Sequence, residues 1–194
     1  RRLLNGGYVT SSLSRSVSEF SFADAASDGG SVLTNESLEA DTRAVVEAHL
    51  TVGDRVTVAL GAEADRASIE AGLFQRAVPG GILPEDLAWD ESLGLWKIGT
   101  FVQTTLTVSR RLALSLGLRA DEVTALDDGF DLSPRMSARV ELGSGLSAQL
   151  GAGVFHQAPN LLSLSVKEGG QYPNTALRQQ RTRQLVGGFS WVVR

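Results

Sequence analysis

Apolar and polar residues alternate strictly from Val56 to Ala64, reading V-T-V-A-L-G-A-E-A. Val56, Val58, Leu60, Ala62 and Ala64 share one face of an extended chain, and Thr57, Ala59, Gly61 and Glu63 share the other. A period of two means a β-strand with one apolar and one polar face. The pattern recurs along the chain, and the alternation predicts eight strands at about residues 8–22, 39–52, 55–69, 95–108, 112–123, 133–142, 146–156 and 181–193. The first is the weakest, because serine occupies both of its faces.

The connections between these strands alternate in length. Gly53-Asp54, Arg110-Arg111 and Gly143-Ser144-Gly145 make tight turns, whereas 23–38, 70–94 and 157–180 read as long loops and 124–132 as a medium one. Strands of about 9–11 residues cross a bilayer when tilted, whereas soluble strands average about 5–6. Long strands joined by tight turns on one side and long loops on the other are the mark of a transmembrane β-barrel. The polar parity carries Arg43, Glu47, His49, Glu63, Lys97, Gln103, Arg119, Arg135, Arg139 and Glu141, a set suited to a wet or plugged lumen. A soluble barrel would instead turn its apolar parity inward. Val58→Arg is therefore expected to block assembly where Thr57→Arg is tolerated. Trp96, Phe189 and Trp191 are candidates for two interfacial aromatic girdles.

Composition narrows the chemistry. The 194 residues carry a net charge of −4, which points to no polyanion. Cysteine is absent, so there is no disulfide, thiolate metal site or thiol nucleophile. No apolar run is long enough for a membrane helix, and no leader is visible at Arg1-Arg2-Leu3-Leu4. The absence of long helices also removes helix-based nucleic-acid readers. Glu85, Asp86, Asp90 and Glu91, and likewise Asp121, Asp127, Asp128 and Asp131, have carboxylates that can ligate a cation, but their spacing matches no calcium loop and they read as solvated loops. His156, with Gln157 beside it and Ser163 nearby, lacks a nucleophile motif. No catalytic residue, cofactor or metal site is expected.

Three stretches carry a family resemblance. L-W-K-I-G-T-F-V-Q-T-T-L-T-V-S-R-R-L-A-L-S-L-G-L-R-A-D at 95–121, L-S-P-R-M-S-A-R-V at 132–140 and G-A-G-V-F-H-Q-A-P-N-L-L-S-L at 151–164 resemble consecutive barrel strands of TonB-dependent receptors. Asn174-Thr175-Ala176-Leu177 is similar to a further motif of that family, with Thr175 in place of its proline. The resemblance implies an all-β, antiparallel transmembrane barrel of about 22 strands, of which residues 1–194 would supply about eight, with neither plug domain nor TonB box. It implies an outer-membrane location and uptake of a large scarce solute (siderophore, cobalamin, oligosaccharide or peptide). The partners implied are membrane lipid, the remaining strands and plug, and TonB acting through the plug. The long loops would meet the solute first. Two other readings stay open: a complete eight-stranded outer-membrane barrel serving adhesion or structure, and a soluble ligand-binding β-barrel.

Overall fold

The computed structural model describes residues 7–25, 31–77, 85–165 and 173–192. They form one antiparallel sheet of β1 (Tyr8–Ala25), β2 (Ser31–Val52), β3 (Val56–Gln75), β4 (Leu87–Ser109), β5 (Leu112–Val123), β6 (Phe130–Gly143), β7 (Leu146–Gln157) and β8 (Gln180–Trp191). Spatial order follows chain order, and β1 and β8 each pair with a single neighbour. Among the described residues the sheet is thus open, with β1 and β8 as its edges.

Register explains why the alternation works. Leu50 lies opposite Val58, Ala48 opposite Leu60 and Val46 opposite Ala62. Leu60 faces Val102, Val102 faces Leu118, and Leu116 faces Met136. Because the side-chain period is two, each pair keeps apolar against apolar, and a slip of one residue would turn a whole strand over. One continuous apolar face results. Its large side chains, including Leu116, Met136, Leu150 and Phe189, are exposed.

Val108 and Trp96 lie twelve residues apart on this face of β4. That is about 40 Å along the strand at about 3.4 Å per residue. A tilt of about 45° reduces it to about 29 Å, which suits an apolar band of about 25 Å and its flanking girdles.

The opposite face is covered at one end. After β7 the chain forms a short helix, α1 (Leu161–Ser165), and a 3-10 turn (Pro173–Ala176) before entering β8. Leu161 and Leu164 pack with Ala67, Ile69, Ala71, Leu95, Val123 and Leu126. This small core lies on the polar-parity side of β3 and β4, so the β7–β8 connection folds over that face and leaves the apolar one open.

Several strands run further than the alternation predicts. Much of 23–38 and 70–94 is strand, not loop: β1 reaches Ala25, β2 starts at Ser31, β3 reaches Gln75 and β4 starts at Leu87. The centres of both loops, 26–30 and 78–84, lie outside the described residues, as does residue 193 of the eighth strand. The medium loop at 124–132 shortens because β6 begins at Phe130. In the extensions of β3 and β4 the apolar residues change face: Ala71, Trp89 and Leu93 continue the row of Ile69 and Leu95 on the polar-parity side, in or against the small core. Glu70, Ala71 and Gly72 lie opposite Ser92, Glu91 and Asp90.

The tight turns fall where expected. Between β6 and β7, Gly143, Ser144 and Gly145 have φ of 97°, 52° and 77°. Positive φ at both central residues of a two-residue hairpin is the primed geometry that matches strand twist. A Cβ at Gly145 would strike the carbonyl oxygen of Val192. Gly145→Ala is expected to destabilise the folded protein by at least about 1–2 kcal/mol, the cost of a left-handed residue, and Ser144→Gly to be neutral or mildly stabilising. Urea midpoints in lipid or detergent check both; equal midpoints for wild type and Gly145→Ala would refute the turn assignment.

Candidate functional site: the charged wall

The polar parity forms a wall of charged rows. Glu63, Gly99, Asp121 and Asp131 follow one another across β3, β4, β5 and β6. One step along β5, Arg119 reaches diagonally over the gap at Gly99. Its guanidinium bonds Glu63 on the far side, and its Nε lies 2.8 Å from Asp121 Oδ1. Gly99 makes this possible, because a Cβ there would sit 3.0 Å from both Asp121 Oδ1 and Glu63 Cγ and would strike the guanidinium itself. About a fifth to a quarter of each of these three side chains is exposed.

The next row carries a second ion group. Asp65 is buried, with Arg43 Nε 3.9 Å and Lys97 Nζ 4.0 Å from its Oδ2. Lys97 Nζ also lies 3.9 Å from Asp41 Oδ1. Neither Asp65 Oδ1 nor Asp41 Oδ1 has a hydrogen-bond donor, which is costly for a buried carboxylate oxygen.

Toward the short turns the wall flattens. Gln103, Gly117, Arg135 and Gly153 succeed one another across β4 to β7. The Arg135 guanidinium lies 4.7 Å from the Phe155 ring centroid. The missing side chains at Gly117 and Gly151 leave a groove of about 250 Å³ beside Gln103 and Ser137. Near the turns, Arg139 Nε donates to Glu141 Oε1 at 2.9 Å. On β2, His49 Nε2 lies 3.8 Å from Glu47 Oε2, and its ring stacks on Tyr8 with centroids 4.6 Å apart.

Arg43, Glu47, His49, Glu63, Lys97, Gln103, Arg119, Arg139 and Glu141 therefore all lie on this wall, sharing the parity opposite Leu60, Val102 and Leu118. Trp96, Phe189 and Trp191 lie on the apolar side, where Phe189 pairs with Ala148 and Trp191 with Leu146. Trp191 Nε1 lies 3.3 Å from the Ser144 carbonyl at the short-turn end. Trp96 does not open its strand as expected, since β4 starts nine residues earlier.

Of the acidic residues, Glu85, Asp86, Asp127 and Asp128 are exposed and lie outside the strands, as expected, whereas Asp90, Glu91, Asp121 and Asp131 lie in strands. Asp90 and Glu91 are consecutive on β4 and point to opposite faces. Asp86 Oδ1 accepts the Ala77 N–H at 2.7 Å. Asp121 serves Arg119, Asp128 lies 3.7 Å from Arg178, and Asp127 Oδ2 is 3.4 Å from the Thr175 hydroxyl. The last two help to fasten the β7–β8 connection, as does the Gln179 side chain, which donates to the Gly129 carbonyl at 2.8 Å.

One grouping was invisible in the sequence. His156 is partnered by Ser133, 3.0 Å from Nδ1, and by Asp131, 3.3 Å from Nε2, and not by Ser163. Ser163 instead donates to Asn160. Pro134 accounts for this local arrangement. It has no N–H to give, and β6 pairs with β7 no further than Arg135 opposite Gly153. Above that point His156 turns toward β6. Ser133 is 1% exposed, so no substrate reaches its hydroxyl. Ser133 and His156 form a buried hydrogen-bonded pair, with the part-exposed Asp131 carboxylate beside the imidazole.

No protein-family model and no curated protein matches the sequence. Solved structures do resemble it. In the FpvAI–pyocin S2 complex the match covers 97% of this chain and 28% of the other, at TM-score 0.64 and 14% identity. The copper transporter OprC matches over 97% of this chain and 34% of its own, at TM-score 0.61 and 14% identity. The ferric enterobactin receptor PfeA of Pseudomonas aeruginosa matches over 82% and 24%, at TM-score 0.56 and 18% identity. The chain thus spans about a quarter to a third of these proteins, and at such identities the likeness is one of fold: an antiparallel, all-β stretch of receptor and transporter barrel.

Proposed function

We propose that this chain is a section of the wall of a TonB-dependent outer-membrane transporter that takes up a large scarce solute, such as a siderophore, cobalamin, oligosaccharide or peptide. The observation that carries this reading is the two-faced open sheet. One face is a continuous exposed apolar band, and the other is a wall of ion pairs. The motifs at 95–121, 132–140 and 151–164 and the fold shared with a siderophore receptor and a copper transporter support it. The two unpaired edges are the places where further strands of the same barrel would join. The charged wall would face the plug and solute, the apolar band the lipid, and the long connections the outside. The role is physical: lipid seal, inner surface and outer loops, with energy arriving from TonB through the plug. No catalysis is assigned to it.

The test has two arms. Single cysteines replace Ser115 and Leu116, neighbours on β5 with opposite parity, in the membrane-assembled protein. A charged, membrane-impermeant thiol reagent is expected to label Ser115→Cys, and only an apolar reagent to label Leu116→Cys. Reversed labelling, or a chain that stays dissolved without lipid or detergent, overturns the membrane reading. In the second arm, cells with and without the gene are compared for uptake of ferric siderophores, cobalamin and oligosaccharides, with TonB present or absent. Uptake that ignores TonB overturns the transporter assignment.

A further inference from the structure

The apolar band ends abruptly at one register row. Leu13, Ala44, Ala64 and Ile98 are its last apolar row across β1 to β4, and the next is Arg15, Thr42, Arg66 and Trp96. The change recurs on β8, where Leu185 is followed toward the same end by Arg183. All three arginines are exposed on the apolar-parity side.

The arginines of the two faces differ in their partners. On the charged wall Arg43, Arg119 and Arg139 each hold a carboxylate, while Arg135 lies over the Phe155 ring. Neither Arg15, Arg66 nor Arg183 is ion-paired to a described residue. Arg66 is nevertheless held in place: its guanidinium carbon lies 5.5 Å from the Trp96 ring centroid. The missing side chain at Gly94 gives it room, since a Cβ there would come within 2.8 Å of Arg66 Nη2. Stacking leaves the edge donors of a guanidinium free for a second partner.

From these contacts we infer that Arg15, Arg66 and Arg183 form a phosphate-binding row that grips lipid headgroups in the leaflet on the long-connection side. This rests on the reading of the apolar face as lipid-facing. A planar fork of N–H donors matches a phosphate and binds it through two bonds at once. Trp96 belongs at that depth because an indole prefers the interface between hydrocarbon and headgroups. Nearby carboxylates do not occupy the site. Glu19 and Glu70 lie on the same face four residues further out, about 13 Å along their strands, and Glu122 lies opposite Ile98, one row nearer the band.

The test uses the membrane-assembled protein in nanodiscs of phosphatidylcholine with a graded fraction of phosphatidic acid. Native mass spectrometry counts the phosphatidic acid molecules that stay bound when the disc is stripped. R15Q/R66Q is expected to weaken retention about tenfold or more, taking each arginine at an anionic surface as worth about fivefold. R139Q, on the charged wall, is expected to change nothing. Trp96 emission should respond to phosphatidic acid in wild type and not in R66Q. Equal retention by R15Q/R66Q and wild type, with both inserted, overturns the row and leaves the lipid-facing reading standing. Displacement of the lipid by millimolar inorganic phosphate also overturns it, because the site would then be one for free anions. Failure of the wild-type protein to enter discs overturns both readings.

Discussion

Leu116→Arg is expected to prevent the sheet from assembling in a bilayer, while Ser115→Arg, one residue away, assembles and folds. Leu116 lies on a central strand between Thr104 and Met136 and is 63% exposed. It is near the middle of the band that runs from Leu112 to Ala120 on β5. An arginine at mid-depth on a lipid face costs about 2–4 kcal/mol. At 1.4 kcal/mol per tenfold, that is between one and three decades in the folding equilibrium. Ser115 faces the other way. Its hydroxyl lies 2.9 Å from that of Thr105, and Gly117 beside it leaves the groove into which a longer side chain can lie. Ser115→Arg loses that hydrogen bond, about 1 kcal/mol, and keeps its charge out of the hydrocarbon. Heat-modifiable migration and urea titration in vesicles measure both. Equal losses from the two substitutions would show that the faces are not lipid and bore.

The same parity explains what the sequence disclosed. Inside the band the two faces meet opposite environments, so composition alternates and Val56–Ala64 or Leu112–Leu118 announces a strand. Beyond Arg66 and Trp96 that contrast reverses, because Ala67, Ile69, Leu93 and Leu95 lie on the other face, in or against the small core. Glu70-Ala71-Gly72 and Asp90-Glu91-Ser92 then have the composition of loops, although backbone pairing continues through them. Turn residues were legible because Gly53 and Gly145 carry the positive φ that tight hairpins demand. Which residues share the charged wall was likewise legible, since parity decides it. Who pairs with whom was not. Arg119 meets Glu63 across fifty-six positions of sequence and an intervening strand, and Gly99 matters there through the side chain it lacks. His156 meets Ser133 because a proline ends a ladder, an event that no spacing rule records. The inward fold of α1 depends on Leu161 and Leu164 finding Ile69 and Leu95, a tertiary contact in a segment that by composition is loop.

Arg119→Met is expected to destabilise the folded protein by about 2–3 kcal/mol. Breaking a fully buried charge pair costs about 3–5 kcal/mol, because the partner stays desolvated and unpaired. Here two partners are stranded, Glu63 and Asp121, but each retains about a fifth of its exposure to water, which lowers the penalty. The same reasoning fixes the rescue. When Glu63→Gln and Asp121→Asn are added to Arg119→Met, no charge remains to be stranded, and most of the loss should return. Urea midpoints of wild type, Arg119→Met, Glu63→Gln/Asp121→Asn and the triple variant, compared as a cycle, isolate the coupling. Gly99→Ala supplies an independent approach, since its methyl group would enter the space that the guanidinium and both carboxylates share. It should reproduce much of the Arg119→Met loss without removing any charge. A triple variant no more stable than Arg119→Met would mean that the loss came from packing of the arginine stem and not from unpaired carboxylates. The group would then be a filler of the wall. If the rescue holds, one cation ties β3 to β5 across β4, and the wall is stiffened at the level of Gly99.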